Sequence, residues 1–236
     1  ISIGVLSHRG DETALSDWSN TADYLSRALP DYRFYIDPLD FDEVDEAVGG
    51  GLVDFILVNP AIYVNLEARH RVSRIATMKN RWGNEVFNIF AGVIIARAER
   101  YDLNTLEDLR EGTFAAVDET SLGGFQMALR EFKAKGINPY RDFLDIRFFG
   151  THDKVVEAVR EGRVDAGTVR SDILERMADE GRIRLNEFRV IEQKHYADFP
   201  LLHSTRLYPE WPFSKVRYTS NALAHLVSSA LAAMPE

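Results

Sequence analysis

The chain has 236 residues, a net charge of −9, 45% hydrophobic and 28% charged residues, and no cysteine. That balance is ordinary for a water-soluble globular protein with one large core or two smaller ones. The negative charge argues against nucleic acid and anionic membranes as general partners, while a small anion met by a local positive cluster stays open. The lack of cysteine excludes disulfides, thiolate catalysis and cysteine-bound zinc, and fits an exported protein.

Residues 1–6 are apolar and predict a first strand, followed by a polar loop over 7–13. A chain that begins in a strand-like run without methionine carries the expectation of a removed leader. Trp18, Ala22, Leu25 and Leu29 recur at helical spacing up to Pro30. A strand is predicted at 33–36, a helix marked by Phe41, Val44, Ala47 and Val48, a buried strand at 55–58, and a helix over 61–69. Further strands are predicted at 72–78 and 87–96, the second long enough to cross between two lobes. The longest apolar run, 90–96, is far too short to span a bilayer.

The second half restarts with a short helix at 106–110 and a strand at 113–117. Phe125, Ala128, Leu129 and Phe132 trace a helix. A strand at 146–149, a helix at 153–161, a strand at 164–169 and a helix at 172–178 follow, with strands predicted at 188–191 and 201–205. A final helix carries Ala222, Leu223, Leu226, Val227, Ala230, Leu231 and Met234 on one face. Alternating strands and helices predict an α/β fold.

One segment is used twice. Glu46-Ala47-Val48-Gly49-Gly50-Gly51-Leu52-Val53-Asp54 recurs as Glu157-Ala158-Val159-Arg160-Glu161-Gly162-Arg163-Val164-Asp165, at a constant offset of 111 residues. Both copies read as a helix end, a glycine stop and a short buried strand. The duplication predicts two similar lobes with a ligand cleft between them. No Gly/Ser linker separates the halves, so strand crossovers are expected to serve as the hinge. Lobe 1 is predicted to hold residues 1–95 plus 206–236, and lobe 2 residues 96–205.

The sharpest local signal is Asp118-Glu119-Thr120-Ser121-Leu122-Gly123-Gly124-Phe125, between a strand and a helix. Two hydroxyls and two glycines at a helix start can present backbone N–H groups and the positive end of the helix dipole to an anion. The plainer reading of Thr120 or Ser121 is an N-cap. Thr151 caps a second helix start and His152 follows it. Arg170, Ser171 and Asp172 follow the second repeated strand, and Asn59, Pro60 and Tyr63 follow the first. Ligands of open α/β sheets sit at strand carboxyl ends, so these positions are expected to face one another. Arg170 is the candidate cation, and Arg9 in the loop after the first strand is a further one.

Together these segments resemble the phosphonate-binding-protein-like group of type 2 periplasmic binding proteins, and within it the extracytoplasmic sensor domains of bacterial histidine kinases. The likeness runs through Val53 to Pro60, Ala116-Val117-Asp118, Ser121 to Phe125, Gly150 to Asp153, Val164 to Arg170, and Tyr208-Pro209-Glu210-Trp211-Pro212-Phe213. By that resemblance Tyr63, Thr120, Ser121, His152, Asp172 and Asp198 occupy ligand-contacting positions. Two departures stand out: Thr120-Ser121-Leu122 replaces a Ser-Thr-Ser run, and Arg170 replaces a neutral amide residue. The resemblance implies capture of a small anionic solute between two lobes, a membrane-embedded signalling or transport partner, a tether to the inner membrane, and no cofactor. The binding subunit of an importer is the alternative.

An enzyme on the same fold would need Ser121, His152 and Asp172 as a triad, but Ser121 lacks the G-x-S-x-G setting that exposes an activated serine. The acidic run at 37–46 lacks calcium-loop spacing, the six histidines lack metal-ligand spacing, and neither glycine cluster forms a nucleotide-binding fingerprint.

Overall fold

Residues 1–235 are described by the computed structural model, and their strands and helices alternate. The first stretch runs β1 (Ser2–Leu6), α1 (Asp11–Ala28), β2 (Tyr35–Leu39), α2 (Glu43–Gly49), β3 (Phe55–Leu57), α3 (Pro60–His70), β4 (Ser73–Thr77) and a hairpin of β5 (Asn80–Trp82) and β6 (Glu85–Phe87). The second runs β7 (Ile89–Phe90), β8 (Gly92–Arg97), β9 (Thr113–Ala116), α4 (Met127–Ala134), α5 (Pro139–Asp142), β10 (Asp145–Phe148), α6 (His152–Arg160), β11 (Ala166–Arg170), α7 (Ile173–Asp179), β12 (Phe188–Val190) and β13 (Tyr208–Pro209). The chain then adds β14 (Pro212–Lys215) and α8 (Asn221–Ala232).

Two units result: Ile1–Asn88 with the segment from Glu210 onward, and Ile89–Pro209. The sequence reading put the divisions at 95/96 and 205/206. They fall at 88/89 and 209/210 because all of β8 pairs within the second unit's sheet and β13 pairs with β7.

The first unit's sheet has the order β2-β1-β3-β14-β4 and the second's β10-β9-β11-β8-β12. In each, the first three strands are parallel and the fourth is antiparallel to the third. Strands β1, β3 and β11 are buried throughout, which is why they read as continuous apolar or small-residue runs instead of alternating ones. The second unit's core gathers Phe114, Phe132 and Phe143, whose rings lie 5.1 to 5.5 Å apart.

The duplicated segment folds the same way twice. Ile3 pairs with Phe55 in β1 and β3, and Phe114 with Ala166 in β9 and β11, the same register at the same offset. Gly51 and Gly162 take φ of 70° and 71°, where a side chain is strained. After them Leu52 N–H reaches Ala47 O and Arg163 N–H reaches Ala158 O, each at 2.9 Å, closing the helix in the same way. The carboxylates of Asp54 and Asp165 accept the N–H groups of Ser2 and Thr113, each at 2.8 Å. Even the next helix starts agree, with Gly10 capping α1 and Ser121 capping the helix after β9.

Several expectations need correction. The strand predicted at 33–36 begins at Tyr35 and extends through Pro38 to Leu39, and the loop at 7–13 is cut short because α1 begins at Asp11. The single strand expected at 87–96 is broken into the end of β6, β7 and β8, because Asn88 and Ala91 lie outside strand geometry. Residues 201–205 form no strand. Ser204 and Thr205 instead each donate their N–H to Gly92 O, at 2.9 and 3.2 Å, while Ser204 Oγ accepts the N–H of Ile94. On α8 only Leu223, Ala224 and Val227 are buried, and Leu226 is 46% exposed. The hairpin, α5, β13 and β14 were not foreseen.

Candidate ligand-binding site

The helix start after β9 is built from local hydrogen bonds. Asp118 Oδ1 accepts the N–H and hydroxyl of Thr120, at 2.7 and 2.6 Å, and Asp118 O accepts Ser121 N–H. Ser121 Oγ then accepts Gly124 N–H at 3.2 Å, the capping role open in the sequence. The turn Leu122–Gln126 is widened: Ser121 O accepts Gln126 N–H and Leu122 O accepts Met127 N–H, each five residues on. Single wide turns of this kind occur often at functional sites.

Arg170, the last residue of β11, is only 3% exposed. Gly123 lies directly against it: a Cβ on Gly123 would fall 2.7 Å from Arg170 Cβ and 3.0 Å from the Phe90 ring. The guanidinium stands 4.7 Å from the Phe90 ring centroid, a cation–π arrangement. Its Nε donates to Asp172 Oδ1 at 3.0 Å and to Ser171 O at 3.3 Å. Arg170 N–H donates to His152 Nδ1 at 3.2 Å, which leaves the proton of a neutral ring on Nε2.

Asp172 joins two cations, since its second oxygen accepts Arg176 Nε at 2.9 Å. Its φ of 81° is unusual for a residue with a side chain. Such outliers gather at ligand-holding positions, where the surroundings sustain the strain. One turn on, buried Glu175 accepts Leu202 N–H at 2.8 Å through Oε1, tying the 192–207 segment to α7. Burial first, and then the charge of Asp172, push the Glu175 carboxyl up from its ordinary range. His203 donates Nδ1–H to Leu201 O and stacks on Tyr196, and burial pushes it down toward the neutral form.

The second unit therefore brings Gly123, His152, Arg170 and Asp172 into contact, beside the Ser121 cap and Leu122. Thr120 turns its hydroxyl to Asp118, and Asp198 is exposed in the turn between Tyr196 and Phe199. In the first unit Tyr63 donates to Glu67 Oε1 at 2.6 Å along α3, with its hydroxyl pushed up by burial and by that bond. Arg9 is half-buried in the loop before α1. Sequence reasoning missed Phe90, Glu175 and Arg176. The i,i+4 spacing of Asp172 and Arg176 was the one signal for the last.

Among the described residues no cluster of three or more His, Asp or Glu could hold a metal, and no helix is long and apolar enough to cross a membrane.

Comparison with known proteins gives a consistent result. The family described as "ABC transporter, phosphonate, periplasmic substrate-binding protein" matches residues 3–236. The tetrathionate sensor histidine kinase of Salmonella typhimurium (strain LT2) is 36% identical over 231 residues, which is 97% of this chain and 38% of that protein. The chain thus spans well under half of that relative's length. A binding protein component of a Pseudomonas aeruginosa ABC phosphonate transporter superposes with a TM-score of 0.80 at 16% identity, covering 97% of this chain and 72% of the other. A Prochlorococcus marinus (MIT 9301) protein solved with methylphosphonate gives 0.76 at 15% identity, covering 98% and 82%.

Proposed function

We propose, from the premise that this chain belongs to the periplasmic substrate-binding protein family of phosphonate ABC transporters, that it is the solute-binding part of a membrane receptor for a small oxyanion. Family and fold are those of binding proteins, and the family implies an extracytoplasmic location. The observation that carries the reading is Arg170. A buried arginine at a strand's carboxyl end, pressed on a glycine of a wide helix turn, is a fixed cation where α/β proteins hold ligands. Arg170 and Arg176 share one carboxylate, so this cluster of three keeps a net positive charge.

In this reading the oxyanion meets Arg170, His152 and the Ser121-Leu122-Gly123 turn, with Thr120, Asp172 and Asp198 around it. Tyr63 and Arg9 supply contacts from the first unit. A ligand touching both units favours a closed arrangement by its difference in affinity for the two states, and closure is the signal. The likeness to a sensor kinase favours a receptor over the importer subunit. The sequence flanking this segment separates the two: a transmembrane helix and kinase region belong only to the receptor. Catalysis by Ser121 and His152 is disfavoured, because Ser121 Oγ caps Gly124 and His152 Nδ1 holds the Arg170 amide.

Tetrathionate and methylphosphonate, named with the relatives, are the probes. Small-angle scattering with whichever one binds should give a smaller radius of gyration than the free protein. A bound probe with an unchanged radius would refute closure.

A further inference from the structure

The duplication supplies an internal control for one surface. In the first unit, Ser2 pairs with Tyr35, and Phe55 with both Ile3 and Lys215, so the starts of β1, β2 and β3 and the end of β14 lie side by side. This is the end of the sheet away from the strand carboxyl ends. Around it stand Tyr32, Arg33, Tyr35, Leu52, Arg217 and Tyr218, with Leu52 65%, Tyr35 56% and Tyr218 69% exposed. Arg217 lies over the Tyr218 ring at 5.8 Å, and Tyr218 packs beside Gly51.

The equivalent end of the second unit is finished differently. Arg163, the counterpart of Leu52, pairs with Glu161 at 2.7 Å. Arg147 pairs with Asp145 at 2.7 Å, Arg100 with Asp165 at 2.5 Å and Arg110 with Asp142 at 2.8 Å. Leu144 and Tyr101 are the exposed side chains with apolar surface beside these ion pairs, and Arg189 lies over the Tyr101 ring at 5.9 Å. In the first unit, by contrast, Arg27, Arg33 and Arg217 have no carboxylate within ion-pair distance among the described residues. Arg27 and Arg33 line an open groove of about 750 Å³ between α1 and β2, together with Tyr32 and Tyr35. Asp23, which lines the groove, Asp31, and Asp54, which accepts Ser2 N–H, lower the local charge, and the four cations Arg27, Arg33, Lys215 and Arg217 exceed these three acids by one.

Exposed tyrosines and a leucine beside cations without carboxylates fit a bilayer surface: aromatic side chains settle at headgroup level and arginines meet anionic phosphates. Strand pairing is a poor use of this edge. Tyr35 N–H bonds Ile1 O, so the alternate positions of β2 face outward, and one of them is Pro38, which has no N–H to offer.

We propose that this end of the first unit docks on anionic phospholipid headgroups. The contact is oriented, because the chain's net charge of −9 repels the rest of the molecule from such a surface. It also leaves the strand carboxyl ends clear of the bilayer.

The test is co-sedimentation of the purified chain with phosphatidylcholine vesicles, with and without phosphatidylglycerol, at low salt. Binding should require phosphatidylglycerol and fall as salt rises. One basic residue near an anionic surface contributes about fivefold, so Arg33→Gln with Arg217→Gln should weaken binding more than tenfold. Leu52→Ser with Tyr218→Ser should weaken it as well, while Arg147→Gln in the second unit should not. Free glycerol phosphate in excess should not displace the protein, which separates a membrane surface from a phosphate pocket. No sedimentation with anionic vesicles, equal binding by the arginine variant, or self-association through this face in its place would overturn the proposal.

Discussion

Gly123 shows how tightly the site is built at the level of single atoms. Its missing side chain is occupied by Arg170 Cβ and Phe90, so a methyl group there must displace one of them. Gly123→Ala is expected to cost about 1–3 kcal/mol of stability, the range for overfilled sites. It should also weaken oxyanion binding by moving Arg170. Urea unfolding checks the first effect, and wild-type stability in the variant would show that the packing is looser than described. Gly123, His152, Arg170 and Asp172 were legible as candidate site residues because they sit at helix starts and strand ends, where α/β proteins keep their chemistry. Phe90 was not, since an aromatic residue in an apolar run looks like core until its ring is seen under a guanidinium. The commitment of Thr120 to Asp118 was equally hidden, because a hydroxyl at a helix start suits a ligand and a local turn alike.

At the scale of elements, Glu175 ties α7 to the segment at 192–207, and its carboxyl is held above the ordinary value of 4.5 by burial. The sign follows directly. Below the unfolded value both states hold the proton and no difference arises. As pH rises from there toward the folded value, the unfolded chain has lost its proton while the folded protein keeps it, so stability falls. Glu175→Gln keeps an oxygen for Leu202 N–H and removes the titration. Urea unfolding across a pH series should show the variant gaining on wild type as pH rises from about 4.5 toward neutrality. A wild-type-minus-variant difference that is flat with pH would contradict this. The repeated helix–glycine–strand unit was the part of the fold most legible in sequence, since a glycine stop and a buried strand each have a local cause. Gly51→Ala and Gly162→Ala should each cost about 1 kcal/mol, because both glycines take the same left-handed turn. Thermal unfolding of the two variants checks this. The strand expected at 201–205 failed for an opposite reason: its hydroxyls, Ser204 and Thr205, hydrogen-bond β8, and no periodicity announces that.

At the scale of the whole chain, two units of matching sheet order arise because each borrows its antiparallel fourth strand from elsewhere in sequence, β14 returning to the first and β8 leading into the second. The duplication signalled two lobes, but not where the chain changes unit. That boundary depends on which sheet β8 joins, a long-range pairing that an apolar run cannot reveal. The central claim is that the second unit's arginine cluster captures a small oxyanion. Removing Arg170 alone would take one of two cations from the buried Asp172 carboxylate and leave it to Arg176, so the informative variant is Arg170→Gln with Asp172→Asn. Calorimetric titration of tetrathionate and of methylphosphonate into wild type and this double variant is the most direct measurement. Wild type should bind at least one of the two. The folded double variant should bind it about tenfold or more weakly, the loss of one charge-assisted hydrogen bond. No binding of either oxyanion by wild type, or equal affinity in the double variant, would contradict the account.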